Sequence, residues 1–196
     1  MKKLLPAVLA ALLILPVHGQ NRIKFACIGD SVTYGYGLSD RENDSYPVKL
    51  QALLGEGFDV RNFGHSGATL LRRGHNPYND LPEYEAALAF APDYAVIHLG
   101  LNDTDPRNWP NYQDEFIPDY LQLIADVRKV NPDVKIWICR MTPIFPGHPR
   151  FKSGTRDWFW QEQEAIARIA GLAGVGLIDL HTPDRKSTRL NSSHDQ

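Results

Sequence analysis

Two kinds of hydrophobic pattern alternate along this chain. Apolar runs of strand length occur at five places: 23–28, 58–63, 94–99, 134–139 and 175–178. Segments with an apolar residue every three or four positions, as in amphipathic helices, separate these runs at 46–54, 83–90, 116–130 and 157–172. Strands that alternate with helices indicate βαβ units and a parallel sheet. The pattern therefore predicts an α/β fold, a three-layer sandwich in which a five-stranded parallel sheet has helices on both faces.

The N-terminal segment has the pattern of a secretory signal peptide over residues 1–19. Two lysines precede an apolar run from Leu4 to Val17, and a small residue, Gly19, follows. This run of about fourteen residues is shorter than the ~20 that span a bilayer, so we expect no stable membrane anchor. The alternative is a buried first helix. We predict a mature protein that begins near Gln20 and is secreted or periplasmic.

The rest of the chain has no internal repeat or low-complexity linker, and we predict one domain over residues 20–183. Residues 184–196 are polar except for Leu190, so this segment has no apolar face to bury. We predict a disordered, non-native tail, because its sequence resembles a translated sequencing-adapter remnant. The domain is then expected to be incomplete at its C-terminus.

Composition and charge exclude several classes of function. Hydrophobic residues make up 43% and charged residues 22%, as in ordinary globular domains. The 21 basic and 23 acidic side chains give a net charge of −2, without the basic footprint of a nucleic-acid-binding protein. The sequence holds no phosphate-binding GxxxxGKS/T motif, no HExxH and no paired CxxC, so a nucleotide site and a zinc site have little support. Cys27 and Cys139 lie late in strand-like runs, which predicts buried free thiols.

Polar and glycine-rich motifs follow the first three predicted strands, at the edge where parallel sheets form their sites. Gly29-Asp30-Ser31 follows the first strand and presents a serine hydroxyl beside helix N-terminal amides. Gly67 lies after the second strand, where a glycine lets a backbone amide approach a ligand. Asn102 follows the third strand, and its neutral amide is a donor suited to developing negative charge.

Each motif also has an ordinary structural interpretation. Ser31 is a suitable N-cap for a helix, Gly67 suits a plain glycine-rich turn, and Asn102 suits an Asx turn. One such motif alone is therefore weak. Three of them at three consecutive strand ends are far more specific.

Together the three motifs resemble those of the SGNH (GDSL) hydrolase family, and the resemblance covers about residues 22 to 183. It implies a flavodoxin-like SGNH hydrolase fold and Ser31 as the nucleophile that attacks an ester carbonyl. It also implies an oxyanion hole formed by the backbone amides of Ser31 and Gly67 and by the Asn102 side chain. An acyl-serine intermediate forms in this family and is released by water, with no metal or organic cofactor.

The chain departs from the family at its last motif, Asp-x-x-His, which supplies the general base and the carboxylate that orients it. Asp179-Leu180-His181 has the wrong spacing, and we interpret Asp179 as structural. His194 lies near the expected distance and is the candidate base, but Asn191 stands in place of the aspartate. The family's last helix has no counterpart either, so apolar sheet surface is expected to stay open. We expect the chain as printed to be nearly inactive.

The other histidines and the substrate contacts are assigned less directly. His65 and His98 flank the motifs and are interpreted as local hydrogen-bonding groups. The sequence around the motifs looks closest to carbohydrate O-acetylesterases, especially the sialate O-acetylesterase-like group. Candidate substrate-binding residues are Asp103, Trp109 and Arg140. Aromatic residues that could stack on a sugar are Trp109, Tyr112, Trp158, Phe159 and Trp160. The alternatives are ordinary aromatic packing and, for Arg140, a surface ion pair.

The sequence thus favours an exported serine esterase that hydrolyses small acyl esters, in the first place acetyl esters, of a carbohydrate or of another small molecule. A lysophospholipase-like or thioesterase relative is the first alternative. A carbohydrate-binding pseudo-enzyme without a base is the second. A flavodoxin-like nucleotide or flavin binder is the third, although Asp30 places a carboxylate where a phosphate would bind. The sugar, the acyl group and the oligomeric state stay open.

Overall fold

The computed structural model describes residues 22–144 and 155–182. In this part of the chain the strands are β1 (Ile23–Gly29), β2 (Phe58–Gly64), β3 (Tyr94–His98), β4 (Lys135–Arg140) and β5 (Gly176–Asp179). They form a five-stranded sheet in the order β2-β1-β3-β4-β5, and each neighbouring pair is parallel. The predicted α/β fold with its five-stranded parallel sheet is confirmed.

Seven helices connect or flank these strands in the described residues. They are α1 (Ser31–Tyr34), α2 (Arg41–Asp44), α3 (Tyr46–Leu54), α4 (Pro82–Phe90), α5 (Trp109–Tyr112), α6 (Phe116–Val130) and α7 (Thr155–Ala173). Short 3-10 turns lie at Tyr78–Asp80, Leu101–Thr104 and Gln113–Glu115. The four longer helices were predicted from their periodicity. The other three have four residues each, too few to show a helical period.

The core lies between the sheet and the helices α4, α6 and α7. Ala26 of β1 and Ile97 of β3 are fully buried there, in one cluster with Phe90 of α4, Ile124 of α6 and Ile166 of α7. Burial of these alternate strand positions removes apolar surface from water at roughly 25 cal/mol per Å². The cluster thereby holds the carboxyl ends of the central strands in place.

The opposite face of the sheet carries an open apolar groove of about 770 Å³. Phe25, Tyr94 and Trp137 stack across it, with ring centroids 5.9 Å and 6.1 Å apart. Leu50 and Leu54 of α3 form the other wall. The expectation that a missing last helix leaves apolar sheet surface open stays a prediction.

The two cysteines are free and buried, as predicted. Burial raises the pKa of both the Cys27 and the Cys139 thiol to about 12, so both are inert thiols at neutral pH. Within 22–144 and 155–182, we find no helix whose length and apolarity would let it cross a bilayer.

Candidate active site

Three strand ends meet at one edge of the sheet. Gly29 at the end of β1 is in register with Gly64 of β2 and with His98 of β3. The candidate residues Ser31, Gly67 and Asn102 each follow one of these three positions closely. The parallel register is therefore what brings the three sequence motifs together.

Ser31 is the first residue of α1 and is partly buried. The helix is capped by Asp30, whose fully buried carboxylate accepts a 2.9 Å hydrogen bond from the Val32 N–H. The alternative interpretation of Ser31 as the N-cap is therefore wrong. The Ser31 hydroxyl makes no hydrogen bond to the described part of the chain.

Gly67 lies in the loop after β2, and this loop is tied to β1 by a 2.9 Å hydrogen bond from the His65 N–H to the Gly29 carbonyl. Gly67 has φ +85°, in the left-handed region that favours glycine. Among the described residues, neither its N–H nor that of Ser31 donates a hydrogen bond to another group. Both amides are therefore available to an incoming oxygen atom.

Asn102 lies in the 3-10 turn that follows β3, after Gly100, which has φ +127°. Its side-chain Nδ2 donates a 2.9 Å hydrogen bond to the Ala68 carbonyl, next to Gly67. An amide nitrogen carries two protons, so one N–H remains for a ligand. The bond to Ala68 uses one N–H and fixes the direction of the other.

These groups form the donor set that acyl transfer requires. A tetrahedral intermediate carries a negative oxygen, and pre-arranged N–H donors stabilise it more than they stabilise the planar ester. Two backbone amides without a partner in the described residues and one oriented side-chain amide follow the same three strand ends as the Ser31 hydroxyl. In the described part of the chain, no group of three or more His, Cys, Asp or Glu side chains is arranged to hold a metal ion.

The described histidines that flank the motifs each lie near a carboxylate. The Nδ1 of His65 lies 3.1 Å from Oε1 of Glu83, and His98 is buried with its Nδ1 3.5 Å from Oδ1 of Asp30. The His65 contact agrees with its interpretation as a local hydrogen-bonding group. The same interpretation of His98 is wrong, because neither of its ring nitrogens has a hydrogen-bond partner in the described part of the chain. His194, the candidate base, lies outside the described residues.

Residues 27–195 match the GDSL-like Lipase/Acylhydrolase family. The chain belongs to this family. It is 44% identical over 188 residues to an acetylxylan esterase from Xylanibacter ruminicola, an alignment that covers 85% of this chain and 38% of the relative. The chain therefore spans less than half of that relative's length.

Solved structures of carbohydrate esterases share the fold. One is a family two carbohydrate esterase from Clostridium thermocellum in complex with cellohexaose, with 20% identity, a TM-score of 0.61 and coverage of 81% of this chain and 54% of that one. Another is a carbohydrate acetylesterase from Sinorhizobium meliloti, with 20% identity, a TM-score of 0.59 and coverage of 81% and 84%. At this identity the likeness shows the SGNH hydrolase fold alone.

Asp103 of this GDSL-like protein joins the turn that carries Asn102 to the loop that carries Gly67. It is fully buried, and its two oxygens accept hydrogen bonds of 2.9 Å from the Leu70 N–H and 2.7 Å from the Leu71 N–H. Burial raises the pKa of its carboxyl to about 7, although these bonds act in the opposite direction. The prediction that Asp103 contacts substrate is wrong, because no part of it is exposed.

Glu162 of α7 is a second fully buried carboxyl, which the sequence pattern did not single out. A Cβ built on Gly100 would lie 3.5 Å from Oε2 of Glu162, so this carboxyl packs against the turn that carries Asn102. Burial, with a smaller contribution from the Asp103 charge, raises the pKa of Glu162 well above its ordinary value. A glutamate within a helical pattern looks like a solvated position, so nothing in the sequence indicated this role.

Trp109 is buried at 4% exposure, with its Nε1 donating a 2.8 Å hydrogen bond to Oε1 of Gln161. Its ring packs edge-on against Phe116, 5.3 Å between centroids. The prediction of a sugar contact at Trp109 is therefore wrong, and the aromatic-packing alternative applies. Phe159 is buried as well, whereas Trp160 is 43% exposed and lies 5.0 Å from the His181 ring.

Arg140 ends β4 and is in register with Asp179 of β5. Oδ1 of Asp179 accepts hydrogen bonds from the His181 and Thr182 N–H groups, at 3.0 Å and 3.1 Å, which confirms its structural interpretation. The Nε of Arg140 is buried and finds no hydrogen-bond partner within the described ranges. Its contact with a substrate carboxylate stays a prediction.

Proposed function

We propose that this protein is an exported serine esterase that hydrolyses small acyl esters, principally acetyl esters on a carbohydrate. One observation carries the proposal above the others. The Ser31 and Gly67 N–H groups have no partner among the described residues, the Asn102 amide is oriented by the Ala68 carbonyl, and all three follow neighbouring strand ends at the edge of the sheet where the Ser31 hydroxyl lies. That arrangement suits acyl transfer and has no evident use in a nucleotide or flavin binder.

The proposed reaction has two steps. The Ser31 Oγ attacks the ester carbonyl carbon as a base takes its proton, and the three donors stabilise the oxyanion that forms. Collapse of this intermediate releases the sugar hydroxyl, which takes up the proton, and leaves an acetyl-serine. Water then attacks the acetyl-serine in the same way and releases acetate. The base stays unassigned, because its candidate, His194, has Asn191 where the orienting aspartate is expected.

The substrate is proposed from the relatives together with the described surface. The relative that is 44% identical is an acetylxylan esterase, so acetylated xylan has more support as the proposed substrate than a sialate ester. Trp160 is an exposed aromatic ring near the carboxyl edge, since it lies in the first half of α7 and contacts His181 just after β5. Such a ring offers an apolar face to a sugar.

The proposal is tested by hydrolysis of p-nitrophenyl acetate and of acetylated xylan. Ser31→Ala is expected to lower the initial rate by at least about tenfold, because a hydroxyl nucleophile is lost. Ser39→Ala, the same change at an exposed serine, is the matched control and should leave the rate unchanged. Equal rates for the parent and Ser31→Ala would contradict the proposal and favour a carbohydrate-binding pseudo-enzyme.

Export is proposed from the N-terminal pattern alone. N-terminal sequencing of material recovered from outside the cytoplasm is expected to give a start near Gln20, because the small residue Gly19 ends the apolar segment. A chain that retains Met1 would contradict this part of the proposal.

A further inference from the structure

Asn108 lies at the end of one of the two segments that carry the candidate oxyanion donors, and its side chain bonds to the other segment. The loop after β2 carries Gly67 and continues to His75, and the turn after β3 carries Asn102 and continues to Asn108. Asn108 is 1% exposed. A buried amide side chain needs hydrogen-bond partners for both its oxygen and its nitrogen.

Both ends of the Asn108 side chain are occupied. Its Oδ1 accepts a 3.0 Å hydrogen bond from the His75 N–H, and its Nδ2 donates a 2.8 Å hydrogen bond to the Asn102 carbonyl. The same Nδ2 lies 2.9 Å from Nδ1 of His75. The side chain therefore joins the loop to the turn.

The placement of Asn108 at the start of α5 makes this use of its side chain unusual. Asn108 is the N-cap of α5, where an asparagine side chain ordinarily accepts from an N–H of the first turn. Here it makes no such bond to its own helix. The backbone carbonyl of Asn108 still accepts from the Asn111 and Tyr112 N–H groups, at 3.0 Å each. The Asn108 side chain thus bonds to Asn102 and His75 and does not cap the first turn of α5.

Asn102 is consequently held from two directions. Its backbone carbonyl is fixed by Asn108, and its side-chain amide is fixed by the Ala68 carbonyl next to Gly67. We propose that Asn108 is a positioning residue that sets the distance between the Gly67 and Asn102 donors. This inference rests on the proposed function, since the donors matter only if an oxyanion forms between them.

The expected effect is on the chemical step. Asn108→Ala leaves the His75 N–H without its partner and leaves the Asn102 carbonyl with only the 3.2 Å bond from the Asp105 N–H, so the turn relaxes. Asn108→Asp keeps the acceptor for His75 but places a carboxylate oxygen against the Asn102 carbonyl. A misplacement of about 1 Å can cost on the order of 10² in rate, so kcat should fall about tenfold to hundredfold in both variants. KM should change by less than about twofold, because ground-state binding does not use the donors.

Two asparagines serve as matched controls. Asn111→Ala changes an exposed residue of the same segment whose Nδ2 donates to the Arg107 carbonyl, at 3.0 Å. Asn131→Ala removes a similar pair of bonds far from the site, to the Pro92 carbonyl and from the Asp133 N–H. Both controls should keep the parental kcat, and Asn131→Ala should lower the melting temperature about as much as Asn108→Ala. A kcat loss in Asn108→Ala no larger than in Asn131→Ala would overturn the inference, as would a change confined to KM.

A second readout separates this inference from the proposed function. If Ser31→Ala and the parent hydrolyse p-nitrophenyl acetate equally, the proposed function fails, and the positioning role is then decided by NMR. The side-chain amide signals of Asn102 should shift and exchange faster with solvent in Asn108→Ala than in the parent. They should stay unchanged in Asn111→Ala and Asn131→Ala. Unchanged Asn102 signals in Asn108→Ala would overturn the inference.

Discussion

The side-chain amide of Asn102 donates a 2.9 Å hydrogen bond to the carbonyl of Ala68, which holds the turn after β3 against the loop after β2. The same two segments are joined again by Asp103, which accepts from the Leu70 and Leu71 N–H groups. The candidate oxyanion hole is therefore held together by side chains of the turn after β3, which bond to the backbone of the loop after β2. Its geometry depends on these bonds as well as on the sheet register.

Asn102→Ala is expected to lower kcat by about 10²–10³ and to leave KM nearly unchanged, because the amide acts on the charge that develops in the transition state. Steady-state kinetics with p-nitrophenyl acetate measures both constants. Asn102→Asp is the isosteric companion and should be as slow, since a carboxylate has no N–H to donate. A rise in KM without a fall in kcat would assign Asn102 to ground-state binding instead.

Stability is expected to fall as pH rises from about 4 to 7. Asp103 holds its proton up to about pH 7 in the native state, against an ordinary pKa of 3.8, so the native state binds more protons than the unfolded state in this window. The loss should be on the order of 2–4 kcal/mol across the window. Glu162, whose pKa is also raised by burial, acts in the same direction.

Melting temperatures of the parent and Glu162→Gln between pH 4 and 8 test this dependence. A glutamine mimics the neutral acid at every pH, so the variant should lose less stability than the parent and be the more stable of the two at pH 8. Glu164→Gln, in the same helix at an exposed position, is the control and should follow the parent. A parallel pH profile in Glu162→Gln and the parent would refute the assignment.

Trp160 and Trp109 should differ in what their substitution affects. Trp160→Ala is expected to lower the rate on acetylated xylan severalfold with little effect on p-nitrophenyl acetate, because the exposed ring meets the polymer and not the reacting ester. Trp109→Phe should lose about 1 kcal/mol of stability with the Gln161 bond and leave the ratio of the two activities unchanged. An equal loss of rate on both substrates in Trp160→Ala would contradict a contact between Trp160 and the polymer.

How far the sequence predicts this molecule depends on the kind of signal each residue gives. The β1 run at 23–28 and the structural strand Ile23–Gly29 differ by one residue, because a buried parallel strand is a continuous apolar run. Ser31, Gly67 and Asn102 were singled out because strand ends are recognisable and three motifs at consecutive strand ends are specific together. Asn108 and Glu162 were missed because an isolated polar residue has no periodicity. Its burial is decided by packing between segments distant in sequence.

The chain as printed is expected to hydrolyse esters slowly. Asn191 is neutral and cannot stabilise an imidazolium at His194 as a carboxylate would, and loss of correct base orientation costs about 10⁴ in a related triad. The parent and His194→Ala should therefore differ little in their rates with p-nitrophenyl acetate. Rapid hydrolysis that His194→Ala abolishes would contradict this expectation and identify His194 as a working base.

The central claim, that Ser31 is the nucleophile of an ester hydrolase, is tested most directly by the covalent intermediate. An activated ester acylates the serine, and slow deacylation lets the acyl-enzyme accumulate. Mass spectrometry after incubation with p-nitrophenyl acetate should find one added acetyl group on the peptide that contains Ser31. Ser31→Ala should carry no acetyl group on that peptide, whereas Ser39→Ala should match the parent. Hydrolysis at equal rates in the parent and Ser31→Ala, with no acetyl group on Ser31, would contradict the account.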